Sequence, residues 1–300
     1  MLLYGGNSSE RAVSLQSGLR VIEAFAETEH TVTAHDWRGG VPDKGLLRLA
    51  QESDAVFLSL HGGDGEGGML QTALESAGVF HYTGSDSKGA ARALDKAIAK
   101  RYVAAAGVPV ARGDVWQVGQ AAPDVPYPAI AKPLFGGSSV GLTRIEAKTD
   151  LASLTCDEPL LVEEYLAGRE FTVGILGNNA LPAVEIIPGG GIYDYHHKYT
   201  EGATRELCPA PITKEKADRL CTLALRAFKA LDLRDYARID FKENAAGHPC
   251  FLEANTLPGL TVTSLLPLAA KAVGISFPAL CEYMAACAAK RKRKPYGAYS

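Results

Sequence analysis

Three oxygen-donor side chains lie close together in the last third of this sequence: Asp240, Glu253 and Asn255. Each falls in a short stretch of alternating apolar and polar residues, and a turn-forming segment separates the two stretches, which predicts a β-hairpin. Residues two apart on a strand share a face, so we expect Glu253 and Asn255 to point the same way, with Asp240 beside them. Two carboxylates and an amide oxygen suit Mg²⁺, which takes one or two protein carboxylates and completes its shell with water and phosphate oxygens.

A simpler interpretation is that acidic groups near a hairpin only face water. Pro258 and Gly259 follow at once, and they supply a rigid turn and a backbone N–H that a ligand can approach closely. The pattern therefore favours a binding site over a solvated surface.

Glycine-rich stretches follow three predicted strands, at residues 5–10, 61–68 and 136–141. The first two lead into helices, which is the α/β unit whose helix N-terminus can hold an anion, although one such unit is weak evidence by itself. The second includes His61, which is either a packing histidine or part of a ligand site at the carboxyl end of a strand. The third joins two strands and lacks the P-loop pattern, so we interpret it as a flap that closes over a triphosphate.

Two further features indicate an anionic ligand. Lys132 lies inside an apolar predicted strand, where it needs an anionic partner unless the strand is at an edge and the side chain reaches solvent. Residues 188–211 form a long irregular stretch with glycine, aromatic and charged residues, which is typical of a lid. The adjacent His196 and His197 within it do not predict a metal pair, because neighbouring side chains point in different directions.

Apolar residues at helical spacing predict the helices that support these loops. The expected buried stripes are Leu15, Leu19, Ile22 and Ala26 in the first helix, and Ala217, Cys221, Ala224, Phe228 and Leu231 in a later one.

The composition argues against several classes of protein. The chain has 300 residues, 47% hydrophobic and 22% charged, with a formal net charge of −3, which is ordinary for a folded protein and unlike a nucleic-acid-binding surface. Its six cysteines include no Cys-x-x-Cys pair, so we expect reduced thiols rather than disulfides or a zinc site. No apolar run approaches the roughly 20 residues of a membrane span, so we expect a soluble, cytoplasmic protein. The basic run at 290–294 is interpreted as a solvated end.

Taken in order, these motifs resemble those of the D-alanine–D-alanine ligases of the ATP-grasp superfamily. The resemblance extends from Tyr4-Gly5-Gly6-x-Ser8-Ser9-Glu10-Arg11 to Gly274-Ile275-Ser276-Phe277. It is strongest at Tyr193-Asp194-Tyr195-x-x-Lys198-Tyr199 and at Leu252-Glu253-x-Asn255-Thr256-x-Pro258-Gly259. Each glycine loop is a weak signal alone, whereas all of them in this order are a specific one.

The resemblance implies a mixed α/β fold, in which an N-terminal open parallel α/β domain precedes a two-domain ATP-grasp that clamps ATP between antiparallel sheets. The expected units are an N-terminal substrate-binding domain at residues 1–86, a central ATP-grasp subdomain at 87–165, and a C-terminal ATP-grasp subdomain with the lid and metal site at 166–300.

It also implies a reaction, the ATP-dependent ligation of two D-alanines for peptidoglycan precursor synthesis. ATP phosphorylates the carboxylate of the first D-alanine, and the amine of the second attacks the acylphosphate. Because phosphoryl transfer depends on positioning and charge neutralisation, two Mg²⁺ (or Mn²⁺) ions are expected. By resemblance, Asp240 and Glu253 hold one ion, and Glu253 with Asn255 holds the other.

By resemblance, eight residues are expected to bind ATP. Lys96 and Lys132 look like the phosphate-binding lysines, Glu163 and Glu170 fall at the adenine and ribose contacts, and Lys198 of the lid would reach the γ-phosphate. The full expected set is Lys96, Lys132, Ser139, Glu163, Glu164, Leu166, Glu170 and Lys198.

Six residues are expected to act on the amino acids: Glu10, Ser138, Tyr199, Arg238, Gly259 and Ser264. Amine attack creates a tetrahedral oxyanion, for which Arg238 and the Gly259 N–H would be the donors. Glu10 would pair with the ammonium of the first D-alanine, and Ser138 would link it to Tyr199 of the lid. Ser264 would bind the carboxylate of the second D-alanine.

Other functions stay open at this point. A ligase joining D-alanine to D-serine or D-lactate, another ATP-grasp carboxylate–amine ligase, and a non-catalytic nucleotide-binding paralogue all share parts of the pattern. The intact metal and lysine set argues against the paralogue, and Tyr199 after Lys198 favours an amine nucleophile. The expected partners are ATP and D-alanine, without nucleic acid or membrane, and a homodimer is left open. The departures from the family pattern are Gly67, Leu94, Gly136 and Thr263.

Overall fold

The computed structural model describes residues 1–136, 141–188 and 204–292, which form three β-sheets with helices packed on them. The first sheet is parallel, with the strand order β2–β1–β3. Its elements are β1 (Leu2–Gly5), α1 (Arg11–Ala26), β2 (Ala34–Trp37), α2 (Lys44–Glu52), β3 (Phe57–Ser59), α3 (Gly63–Glu66) and α4 (Met69–Ser76). The predicted N-terminal parallel α/β unit is confirmed, although the second glycine-rich stretch contains the short helix α3 where a loop was expected.

The first helix buries a different stripe from the predicted one. Gly18 faces β1 so closely that a Cβ there would lie 2.6 Å from Cβ of Tyr4. This close approach turns Leu19 outward, where it is 55% exposed. The predicted buried stripe through Leu19 is therefore wrong, because the helix contacts β1 through its smallest residue, Gly18, and not through its large apolar residues. The buried residues are Val13, Ser14, Ser17, Gly18, Val21, Ala24 and Phe25.

The second sheet is four-stranded and antiparallel, with the order β4–β7–β5–β6. The helices α5 (Ser87–Leu94) and α6 (Lys96–Ala105) precede it. The strands are β4 (Gly113–Trp116), β5 (Ala129–Pro133), β6 (Thr143–Ile145) and β7 (Leu160–Glu164), with a 3₁₀ helix at Lys148–Ser153 before β7. Because β5 is paired on both sides, Lys132 does not lie on an edge strand.

The third sheet has the order β11–β10–β8–β12–β13, and β9 pairs with β8 outside this path. Its strands are β8 (Glu170–Leu176), β9 (Asn179–Ala180), β10 (Val184–Pro188), β11 (Thr204–Leu207), β12 (Tyr236–Glu243) and β13 (Pro249–Asn255). The helix α7 (Lys214–Ala230) lies between β11 and β12, and α8 (Leu265–Ala272) and α9 (Phe277–Lys292) follow β13. As predicted for α7, Ala224 and Phe228 are buried, whereas Ala217 and Cys221 are only half-buried.

Part of the stretch predicted as an irregular lid is a strand. Residues 204–207 form β11, which pairs antiparallel with β10 so that Glu206 lies opposite Ile186. Residues 189–203, which contain His196, His197, Lys198 and Tyr199, lie outside the described residues.

The N-terminal sheet shares its hydrophobic core with the end of the chain. Leu2 and Val21 belong to the same buried cluster as Leu266 and Met284, from α8 and α9. Separate clusters lie between the third sheet and α7, and on the second sheet. The C-terminal helices therefore hold the N-terminal unit against the third sheet.

The sequence had suggested that the basic segment at the end of the chain is solvated, but in the described residues one of its arginines is held by the fold. Arg291 of α9 makes a two-pronged ion pair with Asp235, with Nη1 2.8 Å from Oδ1 and Nη2 2.7 Å from Oδ2. Its guanidinium also donates to the backbone carbonyls of Phe80 and Tyr82. Since Arg291 lies on the inner side of α9, only its neighbours Lys290 and Lys292 are exposed.

None of the single helices in the described part of the chain is long and apolar enough to span a membrane; α8 and α9 together, as a bent pair, would qualify by length and composition alone. All six cysteines are free, as expected.

Replacing Arg291 by methionine should lower the free energy of unfolding by about 3–5 kcal/mol, because the Asp235 carboxylate would stay buried without its cation. Urea unfolding followed by circular dichroism measures this. The control is Arg48→Met, which breaks an exposed ion pair with Glu52 and should leave stability close to that of the unmodified protein. An equal effect of both substitutions would contradict the assignment of Arg291 as an internal clasp.

Candidate active site

The predicted hairpin is formed by β12 and β13, and it places the expected metal ligands together. Asp240 lies directly opposite Glu253, and Arg238 lies opposite Asn255. Alternation along each strand then puts all four side chains on one face of the sheet. The register shifts between Asp240 and Phe241, immediately after the last of these pairs.

The Asp240 carboxylate is buried and has several donors around it. Arg238 donates to it from Nε and Nη2, both at 2.9 Å, and the Thr172 hydroxyl donates at 2.6 Å. The Asn255 side chain donates from Nδ2 to Asp240 Oδ2 at 3.1 Å. These contacts fix the carboxylate in place, and the amide contact means that Asn255 Oδ1 is the oxygen available to a cation.

The donor chemistry of this face fits magnesium. Asp240 and Glu253 supply carboxylates and Asn255 supplies an amide oxygen, all hard ligands on adjacent strands. Among the described residues, no group of three or more His, Cys, Asp or Glu side chains is arranged to hold a metal alone.

Seven of the predicted residues line a single cleft, into which residues from both ends of the chain project. These are Glu10, Glu170, Arg238, Asp240, Asn255, Gly259 and Ser264. The cleft is also lined by His61, for which the sequence left two roles open, and by two carboxylates to which the pattern assigned no role, Glu66 and Glu206.

Next to the hairpin, one buried carboxylate binds two lysines. Glu163, which is 5% exposed, has Lys132 Nζ 2.5 Å from Oε1 and Lys100 Nζ 2.5 Å from Oε2. Burial alone would raise the pKa of Glu163, but the two lysines outweigh it and lower that pKa. Lys132 therefore has the anionic partner that its position demanded, and this partner is a protein side chain.

Lys96 connects the predicted flap to the strand face that carries Asp240 and Glu253. Its Nζ donates to the carbonyl of Gly136 and lies 3.7 Å from Glu253 Oε2. Asp95 caps the N-terminus of α6 by accepting from the Ile98 N–H at 2.9 Å. Lys96 and Lys100 are four residues apart in α6 and so lie on the same side of the helix.

The other described residues predicted to bind the nucleotide lie outside the cluster of Glu163, Lys100 and Lys132. Glu170 lines the cleft and forms an ion pair with Lys242 at 2.9 Å. Glu164 accepts from the Arg112 N–H at 3.0 Å, on the face of β7 opposite Glu163, so its carboxylate is not brought to the two lysines. Leu166 is buried in a small cluster with Ala111 and Cys250. Ser138, Ser139, Lys198 and Tyr199 lie outside the described residues.

The loop after β13 carries Gly259 and Ser264 in close contact. The Thr261 N–H donates to Ser264 Oγ at 2.9 Å, and the Ser264 N–H donates to the Thr261 carbonyl at 3.1 Å. A Cβ on Gly259 would lie 2.8 Å from Ser264 Oγ. We call residues 256–264 the acceptor loop.

Glu66 is a site residue that pattern alone did not identify. Its Oε2 accepts from the Gly62 N–H at 3.0 Å and its Oε1 accepts from the Thr256 N–H at 3.2 Å, so it joins the N-terminal unit to the acceptor loop. Burial raises the pKa of Glu66 to about 7, and the charge of Glu10 acts in the same direction. The sequence signal that could have identified Glu66 is the presence of an acidic residue within the glycine-rich stretch at 61–68.

His61 combines the two roles weighed for it from sequence. Its Nδ1 lies 2.9 Å from the Leu257 carbonyl and its Nε2 lies 3.0 Å from Ser17 Oγ, so it packs against α1 and supports the acceptor loop while lining the cleft. Burial lowers the pKa of His61, which favours the neutral imidazole.

Comparison with known proteins identifies the family. The family model described as D-ala D-ala ligase C-terminus matches residues 108–286. The D-alanine–D-alanine ligase of Bordetella petrii is 39% identical, covering 98% of this chain and 93% of that protein, and the one of Aquifex aeolicus is 41% identical, covering 93% and 97%. The chain belongs to the D-alanine–D-alanine ligase family.

Solved structures support the same assignment. The D-alanine–D-alanine ligase of Bacillus anthracis has a TM-score of 0.81 at 29% identity, with 97% of each chain covered. The D-Ala:D-Ser ligase VanG of Enterococcus faecalis has a TM-score of 0.77 at 28% identity, covering 96% of this chain and 98% of that one. The expected mixed α/β fold, with the ATP-grasp of this ligase family, is confirmed.

Two departures from the ligase pattern pack against each other. A Cβ on Gly67 would lie 2.7 Å from Cδ2 of Leu94, so the absence of a side chain at 67 makes room for the leucine. Thr263 lines the cleft and its hydroxyl lies 3.4 Å from that of Thr261. The contact between residues 67 and 94 concerns packing, whereas Thr263 changes the lining of the cleft.

Gly259→Ala should reduce kcat/KM of this ligase by about 100-fold, because the new methyl group displaces the Ser264 hydroxyl and small misplacements in a site are costly. Steady-state phosphate release with D-alanine and ATP measures the effect. In the double variant Gly259→Ala, Ser264→Ala the clash is absent, so activity should equal that of Ser264→Ala alone. Additive losses would show that Gly259 acts independently of Ser264.

Proposed function

We propose that this protein joins two D-alanines to D-alanyl-D-alanine through an acylphosphate, at the expense of ATP, for peptidoglycan precursor synthesis. It is an ATP-dependent carbon–nitrogen ligase of the peptide-synthase type. The observation that supports this most strongly is the single cleft in which Glu10, Arg238, Gly259 and Ser264 meet the metal-binding face at Asp240.

Mg²⁺ or Mn²⁺ would be held by Asp240, Glu253 and Asn255. When bound, the ions would neutralise charge on the ATP phosphates and on the transferring group. The one-faced arrangement of the three side chains supports this assignment. Arg238, which holds Asp240 by two hydrogen bonds, keeps the carboxylate oriented in this face.

The nucleotide would bind along α6 and β5. Lys96 and Lys132 would contact the phosphates, and Glu163 the adenine. Lys132 is paired with Glu163 in this structure, and we propose that it exchanges that carboxylate for phosphate when ATP binds. Lys100 stays with Glu163 during this exchange, which avoids leaving a buried carboxylate unpaired, a cost of about 3–5 kcal/mol.

The remaining nucleotide contacts follow the family assignment. Glu170 would accept from the ribose hydroxyls, and its place in the cleft supports this. Ser139, Glu164, Leu166 and Lys198 stay as predictions.

The amino acids would bind between the N-terminal unit and the acceptor loop. Glu10 would pair with the ammonium of the first D-alanine, since it lines the cleft beside the glycine turn at Gly62. Arg238 and the Gly259 N–H would donate to the oxyanion formed on amine attack. Ser264 would receive the carboxylate of the second D-alanine, and Ser138 with Tyr199 would complete the link from the flap to the lid.

The distribution of sheets supports the three expected units, 1–86, 87–165 and 166–300, as proposed domains. Each unit contributes one of the three sheets. We place the enzyme in the cytoplasm, where ATP is available; a homodimer stays a prediction.

A panel of acceptors tests the proposed function. Phosphate release from ATP is measured with D-alanine alone, and with D-alanine plus D-serine or D-lactate, and the products are separated by thin-layer chromatography. We expect D-alanine alone to support turnover and to give the dipeptide. A product mainly from D-serine or D-lactate would identify the related ligases, and ATP binding without D-alanine-dependent phosphate release would indicate a non-catalytic paralogue.

Glu253→Gln should abolish turnover while the fold stays intact, because a carboxylate of the proposed metal set becomes a neutral amide. Phosphate release reports activity, and circular dichroism reports the fold. Glu215→Gln, at the exposed start of α7, is the matched control and should be fully active. Unchanged phosphate release in Glu253→Gln would remove the metal assignment.

A further inference from the structure

One side of α1 binds the backbone of the acceptor loop. Ser17 Oγ accepts from the Leu260 N–H at 3.1 Å, and Arg20 Nη1 donates to the Leu260 carbonyl at 3.0 Å. The same Nη1 donates to the Thr261 carbonyl at 2.5 Å. Ser17 and Arg20 are three residues apart and so share a face of the helix. Two residues of the N-terminal unit thus hold the backbone N–H and the backbone carbonyl of one loop residue, Leu260.

The guanidinium of Arg20 is itself held from the other side. Its central carbon lies 3.7 Å from the ring centroid of Phe277, the first residue of α9. Burial lowers the pKa of Arg20, and Cys281 and Glu23 act in the opposite direction. Since arginine keeps its proton in proteins, its bonds to the two carbonyls are charge-assisted, and the aromatic face helps to offset the loss of water.

The contact to Thr261 reaches Ser264 directly. The Thr261 carbonyl accepts from both Arg20 and the Ser264 N–H, and the Thr261 N–H donates to Ser264 Oγ. The orientation of residue 261 therefore decides where the Ser264 hydroxyl points. Ser264 in turn lies against Gly259, where an added Cβ would be 2.8 Å from its Oγ.

Arg20 stands behind the loop rather than in the cleft. The described residues that line the cleft include Gly259, Thr261 and Ser264 but not Arg20. Its guanidinium is thus placed to act on the substrate-facing groups only through the loop backbone.

We propose that Arg20 is a positioning residue for the second, amine-donating amino acid, acting through the carbonyls of Leu260 and Thr261 to hold Ser264 in its binding orientation. This inference rests on the proposed function of the cleft. The inference concerns the second amino-acid site, because Arg20 donates to the backbone carbonyls of Leu260 and Thr261.

A purely structural role for Arg20, as a bridge between α1 and α9, makes a different prediction. Loss of such a bridge would lower thermal stability and would change all kinetic constants together. A positioning role changes one constant, the KM of the second amino acid, while the other constants stay near their original values.

The test uses Arg20→Met, which removes the charge and the donors but keeps an unbranched side chain over Phe277. Phosphate release is measured against D-alanine at saturating ATP, and the two D-alanine sites are fitted with separate KM values. We expect the KM of the second D-alanine to rise about tenfold, as for loss of a charged hydrogen bond, with the other KM values within about twofold. Arg20→Lys, which keeps a cationic donor, should restore most of the affinity.

Two controls make the result decisive. Arg48→Met removes an exposed arginine of α2 and should change no constant. Phe277→Leu removes the aromatic support but leaves the donors, and it should raise the same KM by a smaller factor, which keeps the inference testable if Arg20→Met does not fold.

Provided that the unmodified enzyme is active, two results for the Arg20→Met variant would overturn the role of Arg20. One is an unchanged KM for the second D-alanine, and the other is a shift of every kinetic constant together with the melting temperature. If Arg20→Met is insoluble, an unchanged KM of the second D-alanine in the Phe277→Leu variant would also overturn the proposed role. If the unmodified protein releases no phosphate with D-alanine, it is the proposed function that fails.

Discussion

The pairing register between β12 and β13 is the constraint on which the site depends. A slip of one residue would send Asp240 and Glu253 to opposite faces of the sheet. The register is held from the other face, where Ile239 and Phe241 of β12 are fully buried against α7 and the neighbouring strands. Because β12 also pairs with β8 along its length, the hairpin cannot shift without breaking two ladders. Hydrophobic packing on one face thus sets the positions of the charged groups on the other.

Charges in and around the cleft are balanced by partners of opposite sign. Glu163 is shared by Lys100 and Lys132, Lys96 lies near Glu253, and Asp240 is held by Arg238. A bare charge in such a place would be costly, so each of these cations lies close to a carboxylate of the protein itself. These ion pairs let the lysines stay charged inside the fold.

The acceptor loop belongs to the third unit in sequence but is supported by the first in space. Glu66, His61, Ser17 and Arg20 all bind backbone groups between Thr256 and Thr261. The shared hydrophobic core beneath this contact keeps the two units together. The cleft beside this loop is consequently lined by residues from both ends of the chain.

Local pattern in the sequence determined the hairpin, its metal-type side chains, the parallel N-terminal unit and the need of Lys132 for an anion, because these follow from alternation, turn residues and charge burial over a few residues. Tertiary structure alone decided which face of α1 is buried, that Arg291 pairs with Asp235, and that Lys100 and Lys132 share Glu163. It also decided that Ser17, Arg20 and Glu66 support a loop some 200 positions away. These depend on close approach between distant segments, such as Gly18 against Tyr4, and a pattern of single residues holds no information on which distant surface will lie opposite.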